Sequence, residues 1–369
     1  MTELKEICKV QCGFAFDSKK FTEDDSFSPL IRIRDVKRGF TQTYYTGEFS
    51  SEYIVHKGDL LVGMDGEFNI ARWNSDDALL NQRVCRIIAN NNVNEEYLRF
   101  YLKRTLKFIE SKTSFVTVKH LSTKQLNGLR INLPCMEDQQ RISKQLSTLE
   151  LMIQKNKKVL ELLDELVKAR FVEMFGDPLR NNMLWNTDVL KDICTKIGSG
   201  STPRGGKESY IDEGISLIRS MNVHNAYFEY KDLAHITLDQ AEKLNNVVVE
   251  HDDVLFNITG ASVARCCVVP SDVLPARVNQ HVCILRCREK INPIFLQGLL
   301  VNENYQGKLL QIAKSGATRE AINKQQLESL EIMLPPLELQ NQFATFVQEI
   351  DKSRLLSNHS LCLIKSITF

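Results

Sequence analysis

The 369-residue sequence has no excess of charge of either sign: 47 lysines and arginines stand against 46 aspartates and glutamates, a formal net charge of +1. That balance excludes a bulk electrostatic pull toward nucleic acid or membrane, so an anionic partner has to be met by a local patch. No apolar run approaches membrane-spanning length, and the opening Met1-Thr2-Glu3-Leu4-Lys5 is charged at once, unlike a signal peptide. A membrane is therefore not an expected partner. Ten cysteines lack framework spacing and form no Cys-x-x-Cys pair. Free thiols in a reducing cytoplasm are expected, with no disulfide scaffold and no zinc site. Nor is there a glycine-rich loop after a strand to hold a nucleotide cofactor, or a Pro-Asp with a following Asp/Glu-x-Lys to build a nuclease metal site. Neither catalysis nor a metal is expected in this chain.

What is present is repetition. Leu30-Ile31-Arg32 recurs as Leu217-Ile218-Arg219, Gly58-Asp59-Leu60-Leu61 as Asp252-Asp253-Val254-Leu255, and Asn81-Gln82-Arg83-Val84-Cys85 as Asn279-Gln280-His281-Val282-Cys283. Lys124-Gln125-Leu126 then matches Gln325-Gln326-Leu327, and Leu133-Pro134 matches Leu334-Pro335. The separation between matched positions grows slowly, as small insertions in the second copy would make it. One module has been duplicated. Within each copy the signals are mixed. Ile31 to Val36, Asp59 to Val62 and Val84 to Ile88 read as strands, and Glu95-Glu96 opens a helix. Copy two repeats these as Leu217 to Met221, Val254 to Asn257, Val282 to Cys287 and a helix from about Pro293.

A long heptad stretch follows each module. Ile142, Leu146, Leu149, Ile153, Leu160, Leu163 and Val167 alternate by threes and fours, with one polar interruption at Asn156. The stretch from Met136 to Phe175 predicts a rod of roughly 57 Å, stopped by Phe175-Gly176-Asp177-Pro178. In copy two, Phe343, Val347, Ile350, Ser357, Leu361 and Ile364 occupy the matching positions, Ser357 opposite Asn156. A helix with one narrow apolar stripe needs a partner helix, and antiparallel pairing is the short route. The sequence therefore predicts an α+β chain: module one over 1–133, a central helix over 134–176, module two over 177–334 and a C-terminal helix over 335–369, as a dumbbell with a pseudo-twofold axis.

Several stretches imitate active sites. Asn292-Pro293-Ile294-Phe295 resembles the Asn-Pro-Pro-aromatic loop of amino-methyltransferases but lacks the second proline, and a helix start explains it. Gly198-Ser199-Gly200-Ser201-Thr202-Pro203-Arg204-Gly205-Gly206-Lys207 fails as a P-loop, since Ser201 and Glu208 stand at required positions. Its free N–H groups, hydroxyls and cations still suit a nucleic-acid backbone. Local basic charge does stand out. Arg99, Lys103, Arg104, Lys107, Lys112, Lys119, Lys124 and Arg130 face the single acid Glu110, and Arg32, Arg34, Lys37 and Arg38 form a second group at a strand end. Arg99, Lys103 and Lys107 share one helix face. Such patches can neutralise phosphates on a protein that is neutral overall.

The duplicated module, the Leu-Pro followed by a Gln-rich helix start (Leu133-Pro134 to Gln139-Gln140; Leu334-Pro335-Pro336 to Gln340), the Phe175-Gly176-Asp177-Pro178 stop and the Gly198 to Thr202-Pro203 opening come in one order. In that order the chain resembles the DNA-specificity subunit of type I restriction–modification systems. The resemblance implies two target recognition domains reading one bipartite asymmetric site on double-stranded DNA. It also implies helices that serve as spacer and as docking surface for two methyltransferase subunits. Those partners would bind S-adenosylmethionine and methylate adenine, further motor–nuclease restriction subunits would cleave, and this chain would hold no cofactor.

On that reading Arg32, Arg34 and Lys37 in module one, and Ser199, Thr202, Arg204, Arg219 and Asn222 in module two, are candidates for base edges, with Arg38 a further DNA-binding candidate. Arg72 and Arg265, matched across the repeat, and the helix of Arg99, Lys103 and Lys107 are candidates for phosphate. Lys119, Lys207 and Arg319 are further DNA-binding candidates. The Asn81-Gln82 and Asn279-Gln280 pairs, identical in both copies, suit a structural hydrogen bond. Two other functions remain compatible with the sequence: a methyltransferase acting alone on adenine N6, and a coiled-coil adaptor that binds only protein.

Overall fold

The computed structural model describes residues 1–112, 120–203, 205–314 and 320–368. It divides into two compact units, Met1–Lys155 with Leu361–Phe369, and Asn156–Ser360. Among the described residues no helix is long and apolar enough to cross a membrane.

The first unit opens with strand β1 (Cys8–Cys12), followed by β2 (Ser28–Ile31), helix α1 (Ile33–Arg38), β3 (Leu60–Gly63), β4 (Asn69–Arg72), β5 (Ala78–Leu80), β6 (Val84–Ala89) and helix α2 (Glu95–Lys112). An antiparallel sheet has the order β1-β6-β3-β4. A second sheet is centred on the parallel pair β2 and β5, flanked by short strands at 21–22, 44–45 and 54–55. The expected strand from Ile31 to Val36 is corrected: it stops at Ile31. Asp35 Oδ2 accepts the Arg32 N–H at 2.9 Å, and Gly39 closes the helical turn at φ 78°. These two local caps outweigh the β-branched run.

The second unit repeats the plan. Its strands are β7 (Cys194–Ser199), β8 (Ile215–Ile218), β9 (Val254–Asn257), β10 (Cys266–Val268), β11 (Ala276–Val278) and β12 (Val282–Cys287), and helix α4 covers Pro293–Val301; the long central helix α3 (Met136–Phe175) precedes them and α5 (Leu337–Thr368) ends the chain. One sheet runs β7-β12-β9-β10 and the other is centred on the parallel pair β8 and β11. The expected strand to Met221 is shorter, ending at Ile218, because Asn222 folds the chain back. Its Oδ1 accepts the Arg219 N–H at 3.1 Å, and its own N–H donates to the Arg219 carbonyl at 2.9 Å. Asn292 Oδ1 accepts the N–H of Ile294 at 2.9 Å, with Pro293 in the first turn, so Asn292-Pro293-Ile294-Phe295 is a helix cap.

The Leu-Pro…Gln signature acts as a joint in both copies. Buried Gln139 accepts the Asn94 N–H at 2.8 Å and donates to the Pro134 carbonyl at 2.9 Å. Buried Gln340 makes the same pair of bonds to Asn292 and Pro335, at 2.9 and 2.8 Å. Each glutamine thus fixes the start of a long helix to the module before it.

Within the second unit α3 and α5 run antiparallel. Phe171 and Phe175 pack on Phe343 at ring-centroid distances of 5.4 and 5.6 Å, and further along Arg354 binds Asp164 at 2.6 Å. Every seam position is at least half-buried: Ile142, Leu146, Leu149, Asn156, Leu160 and Leu163 on α3, and Phe343, Val347, Ile350, Ser357, Leu361 and Ile364 on α5. At the stop, Gly176 has φ 77°, and a Cβ there would meet Asn182 Oδ1 at 2.3 Å. Gln340→Ala would leave two buried backbone groups unpaired and should lower unfolding free energy by about 1–3 kcal/mol; chemical denaturation showing no loss would remove the joint.

Candidate nucleic-acid interface

In module one, Arg32, Arg34, Lys37 and Arg38 are exposed on or beside α1. Lys37 pairs with Glu67 at 2.9 Å, while Arg34 and Arg38 lie 3.8 and 4.0 Å from the buried Asp35. Arg32 and Arg34 border an open cleft of about 670 Å³ with Phe21, Thr22, Gln42 and Tyr44. This cluster keeps cations at the surface, where a phosphate could reach them.

The basic face of α2 behaves differently. Arg99 donates to Glu96 at 2.9 Å and to Glu150 on α3 at 2.6 Å, and Lys103 donates to the same Glu150 at 2.6 Å. Arg72 binds Glu95 at 2.7 Å, Glu96, and the Gly58 carbonyl. Arg72, Arg99 and Lys103, expected at phosphates, are each held by carboxylates, and the pairs join β4, α2 and α3. Burial works to raise the Glu150 and Glu96 carboxyls, but these cations outweigh it and hold both below the usual range. The contribution is present above the ordinary carboxylate pKa and is lost as pH falls through the lowered one. Lys107 lines the same cleft of about 500 Å³ with Lys103 and Gln154.

In module two, Ser199 ends β7 half-buried, and the Thr202 hydroxyl donates to Gln280 Oε1. The Arg219 guanidinium lies 5.4 Å from the Tyr210 ring and donates to the Asp232 carbonyl. Asn222 is fully buried and donates to the Glu229 carbonyl at 2.9 Å, so it shapes a turn and cannot read a base. Arg265, matched to Arg72 in sequence, lies instead 3.4 Å from His224 Nδ1. Lys119, Arg204 and Arg319 lie outside the described residues, as does the side chain of Lys207.

The structure also separates what the Asn-Gln pairs combine. Asn81 and Asn279 are buried; Asn81 Oδ1 accepts the Gln82 N–H at 2.9 Å and Asn279 Oδ1 the His281 N–H at 3.0 Å. Gln82 and Gln280 are exposed. The expected structural role fits the asparagines alone. The signal that could have found the glutamines is the residue after them, arginine in one copy and histidine in the other.

Arg34→Ala should weaken binding to any duplex and reduce the slope of log affinity against log salt by about 1. Arg99→Ala should leave that slope unchanged while destabilising the fold; an equal fall in slope for both would return α2 to the interface.

Comparison with known proteins follows the same lines. The model of the type I restriction modification DNA specificity domain matches residues 1–165 and again 182–365. The chain is 29% identical to the type I restriction enzyme EcoBI specificity subunit of Escherichia coli, over 99% of this chain and 82% of that one. It is 22% identical to the MjaVIII specificity subunit of Methanocaldococcus jannaschii, over 82% and 74%. In fold it resembles the crystal structure of a type I restriction–modification S subunit from M. genitalium, with TM-score 0.62 and 14% identity over 100% of this chain and 93% of that one. With the model matching twice and covering nearly all of the sequence, the chain belongs to the type I restriction–modification DNA specificity family, and its function is that of a DNA-recognising specificity subunit.

Proposed function

We propose that the two modules read the two halves of a bipartite, asymmetric site on double-stranded DNA, with the paired long helices setting the gap between the halves. One observation carries this: the same four-stranded sheet, and beside it a second sheet centred on a parallel pair, is built twice, while the side chains around it differ. Identical readers would select a symmetric site; unlike readers on one plan select two different half-sites. Methyltransferase subunits dock along the helices. Outside the seam, in the second unit, α3 exposes Val159, Leu162 and Leu166 and α5 exposes Leu355 and Leu356, apolar side chains that a docked partner would cover. In this reading the chain is non-catalytic and acts in the cytoplasm. S-adenosylmethionine belongs to the methyltransferase partners, and motor–nuclease subunits complete a restricting complex.

Selection from randomised duplexes by the chain with its methyltransferase subunits should return two short motifs separated by a fixed gap. A single undivided motif, or none, would overturn the reading. Calorimetric titration of the isolated chain with S-adenosylmethionine should give no heat of binding, whereas saturable binding would favour a methyltransferase acting alone.

A further inference from the structure

In each module the chain crosses twice from its second sheet to its first, the second time through a short turn. In module one this is the turn between β5 and β6, Asn81-Gln82-Arg83; in module two it is the turn between β11 and β12, Asn279-Gln280-His281. The backbone around both turns is bonded alike. The Arg83 carbonyl accepts the Met64 N–H at 3.0 Å and the Met64 carbonyl the Leu121 N–H at 2.7 Å. In module two the His281 carbonyl accepts the Ile258 N–H at 3.0 Å and the Ile258 carbonyl the Ile322 N–H at 2.9 Å. A glycine permits the opening loop to lie against each turn. A Cβ on Gly13 would meet the Asn81 carbonyl oxygen at 2.1 Å, and one on Gly200 the Val278 carbonyl oxygen at 1.7 Å. Asp65 bridges to His120 as Thr259 bridges to Ala321. The two sites share this plan, although Arg83 has a positive φ and His281 does not.

Their exposed chemistry is not the same. Arg83 has a left-handed backbone, φ 73°, and its side chain is 51% exposed. Asp65 lies 3.4 Å from its Nε and the His120 ring nitrogens 3.2 Å from its Nη1, so a guanidinium fork is held at the surface. In module two the corresponding residues are neutral partners: His281 Nδ1 lies 2.6 Å from the Thr259 hydroxyl, and its Nε2 3.2 Å from the Gln280 amide. A fork of this kind matches the O6 and N7 acceptors of guanine in the major groove, whereas an imidazole and amide do not form that bidentate pair. A left-handed arginine is uncommon and is retained where its neighbours over-determine it.

We propose that these crossover turns are the specificity-determining points of the two modules, with Arg83 reading a guanine in one half-site and His281 reading a different base in the other. This rests on the proposed division of the DNA site between the modules, and the experiment separates the two. Wild type, Arg83→Gly and His281→Ala, each as full-length chain with its methyltransferase subunits, are put through selection from randomised duplexes. Glycine suits the positive φ, so Arg83→Gly removes the fork without straining the turn; thermal unfolding of each variant confirms the fold.

Arg83→Gly should relax preference about ten-fold at one guanine of one half-site and leave the other half-site unchanged. His281→Ala should do the converse. Equal loss of affinity on all sequences, or an unaltered motif, would overturn the assignment while leaving the bipartite reading intact. A wild-type complex that selects nothing would remove both.

Discussion

In each module one aspartate binds one arginine where the two sheets meet. Arg286 holds both oxygens of the fully buried Asp253, at 2.8 and 2.9 Å, and the Val248 carbonyl at 2.9 Å. Arg86 makes a single bond to one oxygen of the partly buried Asp59, at 2.9 Å, and one to the Ile54 carbonyl, at 2.8 Å. Residues 54 and 248 belong to short strands of the second sheet, and the arginines to β6 and β12 of the first. Breaking such a pair strands a charge away from water, at a cost of about 3–5 kcal/mol. An ion pair thus ties the two sheets together in each module, bidentate in module two and through a single bond in module one.

A framework specified in that way tolerates change at its surface. The aspartate, the arginine, the buried asparagine of the crossover turn and the glutamine at each helix start are common to both modules. The residue after the shared glutamine is not: Arg83 in one module, His281 in the other. A protein that must recognise two different sequences with one architecture needs this separation, because altering a reader must not disturb the scaffold that aims it. The joints at Gln139 and Gln340 extend the same logic to the helices, since a spacer measures distance only if its ends are fixed to what it separates.

The basic residues show where inference from composition stops. The run from Arg99 to Arg130 is conspicuous because only Glu110 interrupts it, and it reads as a phosphate-binding face. In three dimensions Glu150, about fifty positions away along the chain, lies against Arg99 and Lys103, and Glu95 and Glu96 close on Arg72. Opposite charges distant in sequence neutralised a patch that no local window could discount. In the group around Arg32 and Arg34, Lys37 pairs with Glu67 and the side chains stay exposed at the surface.

Repetition, heptad spacing and the Phe-Gly-Asp-Pro stop are local or periodic signals, so the sequence alone determined the duplicated modules, the two long helices and the central strands near 60, 84, 254 and 282, while most of the short strands carried no signal. Fine boundaries failed where short caps at Asp35 and Asn222 turned the chain early. What only the tertiary structure decided was which polar side chains face outward: Asn222 and Asn81 are sealed inside while Gln82 and Arg83 emerge, and Arg99 is drawn into an ion pair. The physical reason is that exposure and charge pairing depend on neighbours brought together from different strands and helices, and a linear pattern carries no record of which ones meet.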